Sequence, residues 1–168
     1  MPKDRWFTPT YVINEVHISL GSLGICYDLA SEESANQTVK AGYYFSEQNT
    51  LEKYFSRTIN KHSHLDYWWL NPPFSKVDYF VDLVIDLMRS DNLGTGFLLV
   101  NSNTETKYYQ KLLKNFPYFI LLNRRIPFID PDKGPVSGNP RGQTIFTNQG
   151  IIHLNNWKKL GTICMGSL

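Results

Sequence analysis

The sequence predicts an α/β fold, a mostly parallel sheet flanked by helices with an antiparallel edge. Three observations carry that expectation. Short apolar runs (Leu23 to Tyr27, Asp66 to Leu70, Gly96 to Val100, Tyr118 to Leu122) have the length and composition of buried strands. Segments of helical periodicity separate them, the clearest being Val77, Phe80, Val81, Val84, Ile85 and Met88. Two late strand-like runs, Thr144 to Phe146 and Ile151 to Leu154, follow a turn-rich loop with no helix between them, which gives the antiparallel edge.

In chain order, Thr8-Pro9 reads as a cap followed by proline at the first helical position, with Val12, Val16 and Leu20 on one face of the helix. Gly21 to Gly24 breaks it, and the next strand ends at Asp28. Residues 29–49 are polar and irregular around a Tyr43-Tyr44-Phe45 cluster, and a short helix runs through Leu51, Tyr54, Phe55 and Ile59. After a polar loop (Asn60 to His64), Trp68 and Trp69 point to opposite faces of one strand, one into the core and one against the helix layer. Ser75-Lys76-Val77-Asp78 has the form of a helix-start signal. A later helix turns Tyr108, Leu112 and Leu113 inward and its lysines outward. Residues 130–142 form a long loop dense in turn residues, and little pattern remains after Asn155. Residues 1–155 therefore read as one domain and 156–168 as a C-terminal tail.

At 168 residues the chain is long enough to bury a core. No apolar run approaches the roughly 20 residues needed to span a bilayer, and the N-terminus lacks the apolar centre of a signal peptide. Cys26 and Cys164 have neither metal nor disulfide-framework spacing, and His17, His62, His64 and His153 have no ligand spacing, so no metal site is expected. A reducing cytoplasm fits. Net charge is only +2, but residues 1–100 hold 8 Lys/Arg against 12 Asp/Glu and residues 101–168 hold 9 against 3. The basic final third is suited to tracking phosphates, or is simply an unevenly charged solvated surface.

The most informative stretch is Asp66-Tyr67-Trp68-Trp69-Leu70-Asn71-Pro72-Pro73-Phe74-Ser75. Pro72 pushes Asn71 out of the helical region and each proline fixes its own φ, so an aromatic strand ends in a stiff polar corner ahead of a helix. In an open α/β sheet, ligands bind at such a corner.

Asn71-Pro72-Pro73-Phe74 resembles the catalytic motif of N6-adenine and related amino methyltransferases. The exocyclic amine of adenine is a poor nucleophile because its lone pair is delocalised into the ring. Two acceptors, here Asn71 Oδ1 and the Pro72 carbonyl, hold both N–H groups and draw the nitrogen toward a tetrahedral shape. Phe74 would stack on a base flipped from the duplex, a contact worth about 1–3 kcal/mol. The wider pattern is similar to the phage and prophage DNA N-6-adenine methyltransferase (Dam-like) family. In order it comprises Trp6-Phe7-Thr8-Pro9, Asp28-Leu29-Ala30-Ser31, Asn36, Tyr44-Phe45, Asn71 to Ser75, Val100 to Thr104 and Arg124 to Phe128.

That resemblance implies a Rossmann-like S-adenosylmethionine-dependent methyltransferase fold. The implied activity is transfer of methyl from S-adenosyl-L-methionine to the N6 amine of adenine in double-stranded DNA, in the cytoplasm of a bacterial or phage-infected cell. Trp6, Thr8, Pro9, Asp28, Ala30 and Asn71 would hold the donor. Ser75, Arg124, Arg125, Lys133 and Arg141 would contact DNA, with the enzyme a monomer or homodimer. The chain departs from the pattern in having no glycine in Asp28 to Ser31, and in placing Tyr54 where the family commonly has an acid before an aromatic. Two alternatives stay open: a non-catalytic nucleic-acid-binding protein on a decayed methyltransferase fold, and an amino methyltransferase acting on RNA or protein glutamine.

Overall fold

A computed structural model describes residues 6–46, 51, 53–55, 66–136 and 139–167. The described elements are α1 (Thr10–Leu20), β1 (Tyr27–Asp28), α2 (Glu33–Val39), β2 (Tyr43–Tyr44), β3 (Trp68–Leu70), α3 (Val77–Arg89), β4 (Gly96–Asn101), α4 (Lys107–Asn115), β5 (Tyr118–Leu122), β6 (Ile129–Asp130), β7 (Gly134–Pro135), β8 (Gln143–Thr147) and β9 (Gly161–Met165). Seven strands form one sheet in the order β2-β1-β3-β4-β8-β5-β9, and β6 and β7 make a separate hairpin. The pairings from β2 through β4 are parallel. β8 runs antiparallel between β4 and β5, and β9 antiparallel along the outer side of β5. The architecture is consistent with a Rossmann-like fold. The antiparallel character is wider than an edge: β8 is inserted inside the sheet.

Alternation along the strands builds a core on each face. Trp68, Leu70, Leu98, Val100 and Phe146 face α3 and α4, meeting Val81, Val84, Tyr109 and Leu112. Trp69, Phe97, Leu99, Ile120 and Ile145 face α1, meeting Val12, Ile13 and Val16. The two tryptophans do point to opposite faces, and each is fully buried in a core cluster under helices, so the core and the helix layer are not alternatives. Trp68 donates its indole N–H to the Gly94 carbonyl at 3.0 Å, and its ring lies where a Cβ on Gly96 would stand.

Several sequence expectations need correction. Of the strand expected from Leu23, only Tyr27–Asp28 pairs. Pro9 occupies the N-cap position of α1, and Thr8 makes no side-chain cap. α3 starts at Val77 after a 3₁₀ turn over Phe74–Lys76, so Ser75 is not its cap. The irregular 29–49 segment contains α2 and β2. α2 has seven residues and buries only Val39, so it carries no apolar period to read. It ends on Lys40 at φ 55°, where Asn36 clamps the turn by accepting from Ala41 N–H (2.9 Å) and donating to the Ala41 carbonyl (3.1 Å).

Ile151 to Leu154 is not a strand but a 3₁₀ turn. The segment after Asn155 is the larger surprise. Trp157 is fully buried and donates its indole N–H to Ser19 Oγ at 2.9 Å. Lys159 pairs with the buried Glu15 at 2.7 Å, and β9 then completes the sheet. Single anchors of this kind leave no periodic trace. His17 bonds the Val39 carbonyl and His153 is exposed, while His62, His64, Ile59 and the 60–64 loop lie outside the described residues. No described helix is long and apolar enough to cross a membrane.

Because the Trp68 indole fills the space over Gly96, Gly96→Ala overpacks the core and costs about 1–3 kcal/mol in a denaturant titration. Gly150→Ala, on an exposed glycine with ordinary φ and no neighbour closer than 3.8 Å, stays within about 0.5 kcal/mol.

Candidate functional site

β1 through β5 all point the same way, so Phe45, Asp28, Asn71, Asn101 and Asn123 arrive at one edge of the sheet. β8 runs the other way and therefore begins at that edge, bringing Arg141 and Gln143 to it. The carboxyl edge of an α/β sheet is where ligands bind.

A cleft of about 200 Å³ opens there, lined among others by Trp6, Thr8, Asp28, Ala30, Glu32, Phe45, Asn71 and Pro73. Five of the six sequence-predicted donor residues share it; Pro9 is buried at the start of α1 and does not line it. Asp28 is 2% exposed, and burial pushes its carboxyl up to about 7 against the weaker opposing pull of hydrogen bonds from Ser31 and the Ala30 N–H. Thr8 Oγ1 is sealed with no hydrogen-bond partner among the described residues. Such an orphan is rare, since a buried unsatisfied polar group costs about 1–3 kcal/mol.

The glycine missing from Asp28 to Ser31 is not needed. Positive φ among the described residues is confined to Lys40, Asp91 and three glycines elsewhere, so this turn uses angles open to any residue. Tyr54 sits in an aromatic cluster with Tyr27 and Phe45, ring centroids 5.8 and 5.4 Å away, and does not line the cleft. Glu32, which the sequence reading passed over, does.

Asn71 is half-buried, and its Nδ2 donates to the Trp6 carbonyl at 2.8 Å. A carbonyl only accepts, so the amide nitrogen is committed there and Oδ1 is left outward; it accepts no bond among the described residues. Lys76 N–H closes the following turn on the Pro73 carbonyl at 2.9 Å, while the Pro72 carbonyl accepts nothing among the described residues. Pro73 lines the donor-side cleft. Pro72 and Phe74 line a hollow on the other side.

Phe74 is 36% exposed and stands edge-on to Phe128, with centroids 6.2 Å apart and planes at 75°. The space beside it is bounded by Trp6, Asn101, Phe128, Asn139 and Arg141. Trp6 thus borders both spaces, with Asn71 held at its carbonyl.

Of the residues predicted to contact DNA, Arg141 lines the hollow at Phe74, and Ser75 and Lys133 are exposed nearby in sequence to Phe74 and on the β6–β7 hairpin. Arg124 and Arg125 are exposed past the end of β5, beside a groove with Tyr11, Pro127 and Leu160. Three strand spacings separate β5 from β3, roughly 14 Å. Sequence reasoning missed Asn101, Gln143 and Phe128 as site residues. Asn101 had a legible signal, being a polar residue at a strand's carboxyl end as Asn71 is.

The family model for DNA N-6-adenine-methyltransferase (Dam) matches residues 1–160. A DNA N-6-adenine-methyltransferase of Escherichia phage T1 is 26% identical over 182 residues, covering 96% of this chain and 71% of the phage protein. With that family model matching nearly the whole length of the chain, the chain belongs to the DNA N-6-adenine-methyltransferase family.

Proposed function

We propose that this protein transfers a methyl group from S-adenosyl-L-methionine to the N6 amine of adenine in double-stranded DNA. The observation that carries this reading is the commitment of Asn71 Nδ2 to the Trp6 carbonyl, which leaves two oxygens, Asn71 Oδ1 and the Pro72 carbonyl, at a rigid corner between two open spaces. Two acceptors of fixed direction suit an amine with two N–H groups. They draw the nitrogen away from planarity and free its lone pair. Phe74 offers a partly exposed ring for the extruded base. Asn71 is neutral and takes no proton; the excess proton on the methylated amine passes to water.

The donor-side cleft fits S-adenosylmethionine on two counts. The buried Asp28 carboxyl, whose charged form is disfavoured by burial, gains from a positively charged ligand, and the orphaned Thr8 hydroxyl gains a hydrogen-bond partner. When bound, that cofactor supplies an electrophilic methyl on a sulfonium. Trp6, Thr8, Asp28, Ala30 and Asn71 would hold it, with Pro9 supporting Thr8 from the start of α1. Arg124, Arg125, Lys133 and Arg141, with Ser75, would meet the duplex along the same edge, placing positive charge on phosphates.

Asn71→Ala is expected to lower methyl transfer to unmethylated duplex DNA by roughly 100- to 1000-fold, with folding retained. Radiolabelled transfer followed by nucleoside analysis reads this; unchanged activity removes Asn71 from the reaction.

Asp28 gives a pH signature of opposite sign with and without ligand. Its folded pKa is raised, so in the ligand-free chain its contribution to stability is fully present below the ordinary carboxylate value and is lost as pH rises through about 7. A cationic donor prefers the carboxylate, so donor affinity rises through the same range, by up to about tenfold per pH unit below it. Calorimetric titration between pH 6 and 8 shows the rise in the wild type and a flat profile in Asp28→Asn.

Removing two phosphate contacts through Arg124→Ala/Arg125→Ala should reduce the slope of log affinity against log salt by about 1.8 while leaving donor binding unchanged. An unaltered slope takes these arginines off the DNA.

A further inference from the structure

β3 and β4 are parallel neighbours, so their carboxyl ends bring two asparagines, Asn71 and Asn101, to adjacent points of one edge. The orientation of Asn101 follows from a short chain of bonds that starts at a backbone N–H. Gln143, the first residue of β8, is 1% exposed, and Ile126 N–H donates to its Oε1 at 2.8 Å. A backbone N–H can only donate, so the atom it meets is the oxygen and the remaining terminal atom of Gln143 is the nitrogen. That Nε2 donates to the Arg141 carbonyl at 2.6 Å and to Asn101 Oδ1 at 3.3 Å.

The oxygen of Asn101 is thereby occupied, and its Nδ2 is left with two N–H groups and no partner among the described residues. Thr8 Oγ1 is the one sealed, unpartnered side-chain polar atom among those residues, so Asn101 Nδ2 reaches open space. The open space that Asn101 lines is the hollow shared with Phe74.

We infer that Asn101 is a specificity-determining residue whose Nδ2 donates to a ring nitrogen flanking the amine held by Asn71, so that the two asparagines together read an amine beside a lone pair. This rests on the proposed function and extends it to the class of base, the amino bases adenine and cytosine against guanine and thymine. Adenine presents that pattern on either side of its amine, at N1 and at N7. On the pairing edge, guanine and thymine present the reverse, a carbonyl beside an N–H: oxygen would meet the Asn71 oxygen and N–H would meet N–H. Leaving both groups unpaired in a buried site discriminates strongly. Gln143 is a positioning residue, acting only through the amide of Asn101.

The test uses a duplex that the wild type methylates, with its target adenine replaced by 1-deazaadenine or 7-deazaadenine, each lacking one of the two ring nitrogens. For the wild type, one analogue lowers kcat/KM roughly ten- to hundredfold, and which one identifies the nitrogen. Asn101→Ala, and Asn101→Asp, which keeps an acceptor for Gln143 but offers no donor, are slow on adenine and lose no more than about twofold further with that analogue. Gln143→Glu, unable to donate when ionised, narrows the analogue ratio with Asn101 intact; a merely structural Gln143 would lower stability and leave that ratio alone. The inference is overturned if the wild type discriminates against neither analogue, or if the Asn101 variants keep the full penalty. If the wild type transfers no methyl to adenine in any DNA, the proposed function falls and this inference falls with it.

Discussion

The bond between Asn71 Nδ2 and the Trp6 carbonyl is the constraint on which the site depends. It decides which end of the amide faces away from that carbonyl, and it does so through a backbone atom that no side-chain substitution removes. The segment supplying it is unusually busy. Trp6 holds Asn71, Phe7 exchanges both backbone bonds with Ile129 of the β6–β7 hairpin at 2.9 and 3.0 Å, and Thr8 lines the donor-side cleft. Three consecutive residues thus join the Asn71 corner, the hairpin that carries Lys133 and the cleft at Asp28.

That segment is held from behind. Pro9 opens α1, and α1 is anchored to the C-terminal residues by the Glu15–Lys159 pair, by Asn156 donating to Glu15, and by Trp157 donating to Ser19. Trp157 also stacks on Phe97 of β4 at 5.7 Å. The end of the chain therefore fixes the helix whose first turn positions Thr8. Removing an anchor such as Trp157 would open a cavity next to both α1 and the sheet.

The central strand, its helix and the polar corner were legible because each has a local cause. β-rich aromatics make a buried strand, two prolines stop it, and apolar spacing marks α3. The ordered motifs then located Thr8, Asp28, Ala30 and Asn71, which do converge. α2, the 3₁₀ turn at Ile151–His153 and β9 were not legible. Their stability comes from single long-range anchors, Asn36 at a left-handed turn and Trp157 in the core, and such anchors have no period. Gln143 escaped notice for a related reason. A glutamine opening a strand looks like any surface polar residue until the fold shows that Ile126, Arg141 and Asn101 all converge on it.

The same bonding explains why an amide stands at position 71 in this chain. A carboxylate there has no donor for the Trp6 carbonyl. Its oxygen would be set against that carbonyl at hydrogen-bond distance, with repulsion in place of attraction, and the side chain would rotate away from the corner. Protonation would supply a donor, but only in the pH range where the carboxyl stays neutral. In the proposed reaction an amide would satisfy the strap and the substrate together, donating to one with its nitrogen and accepting from the other with its oxygen, at every pH in the working range. The chemistry that proposal asks of Asn71 is therefore orientation rather than proton transfer, and the prolines that follow it would serve the same end by holding the second oxygen still.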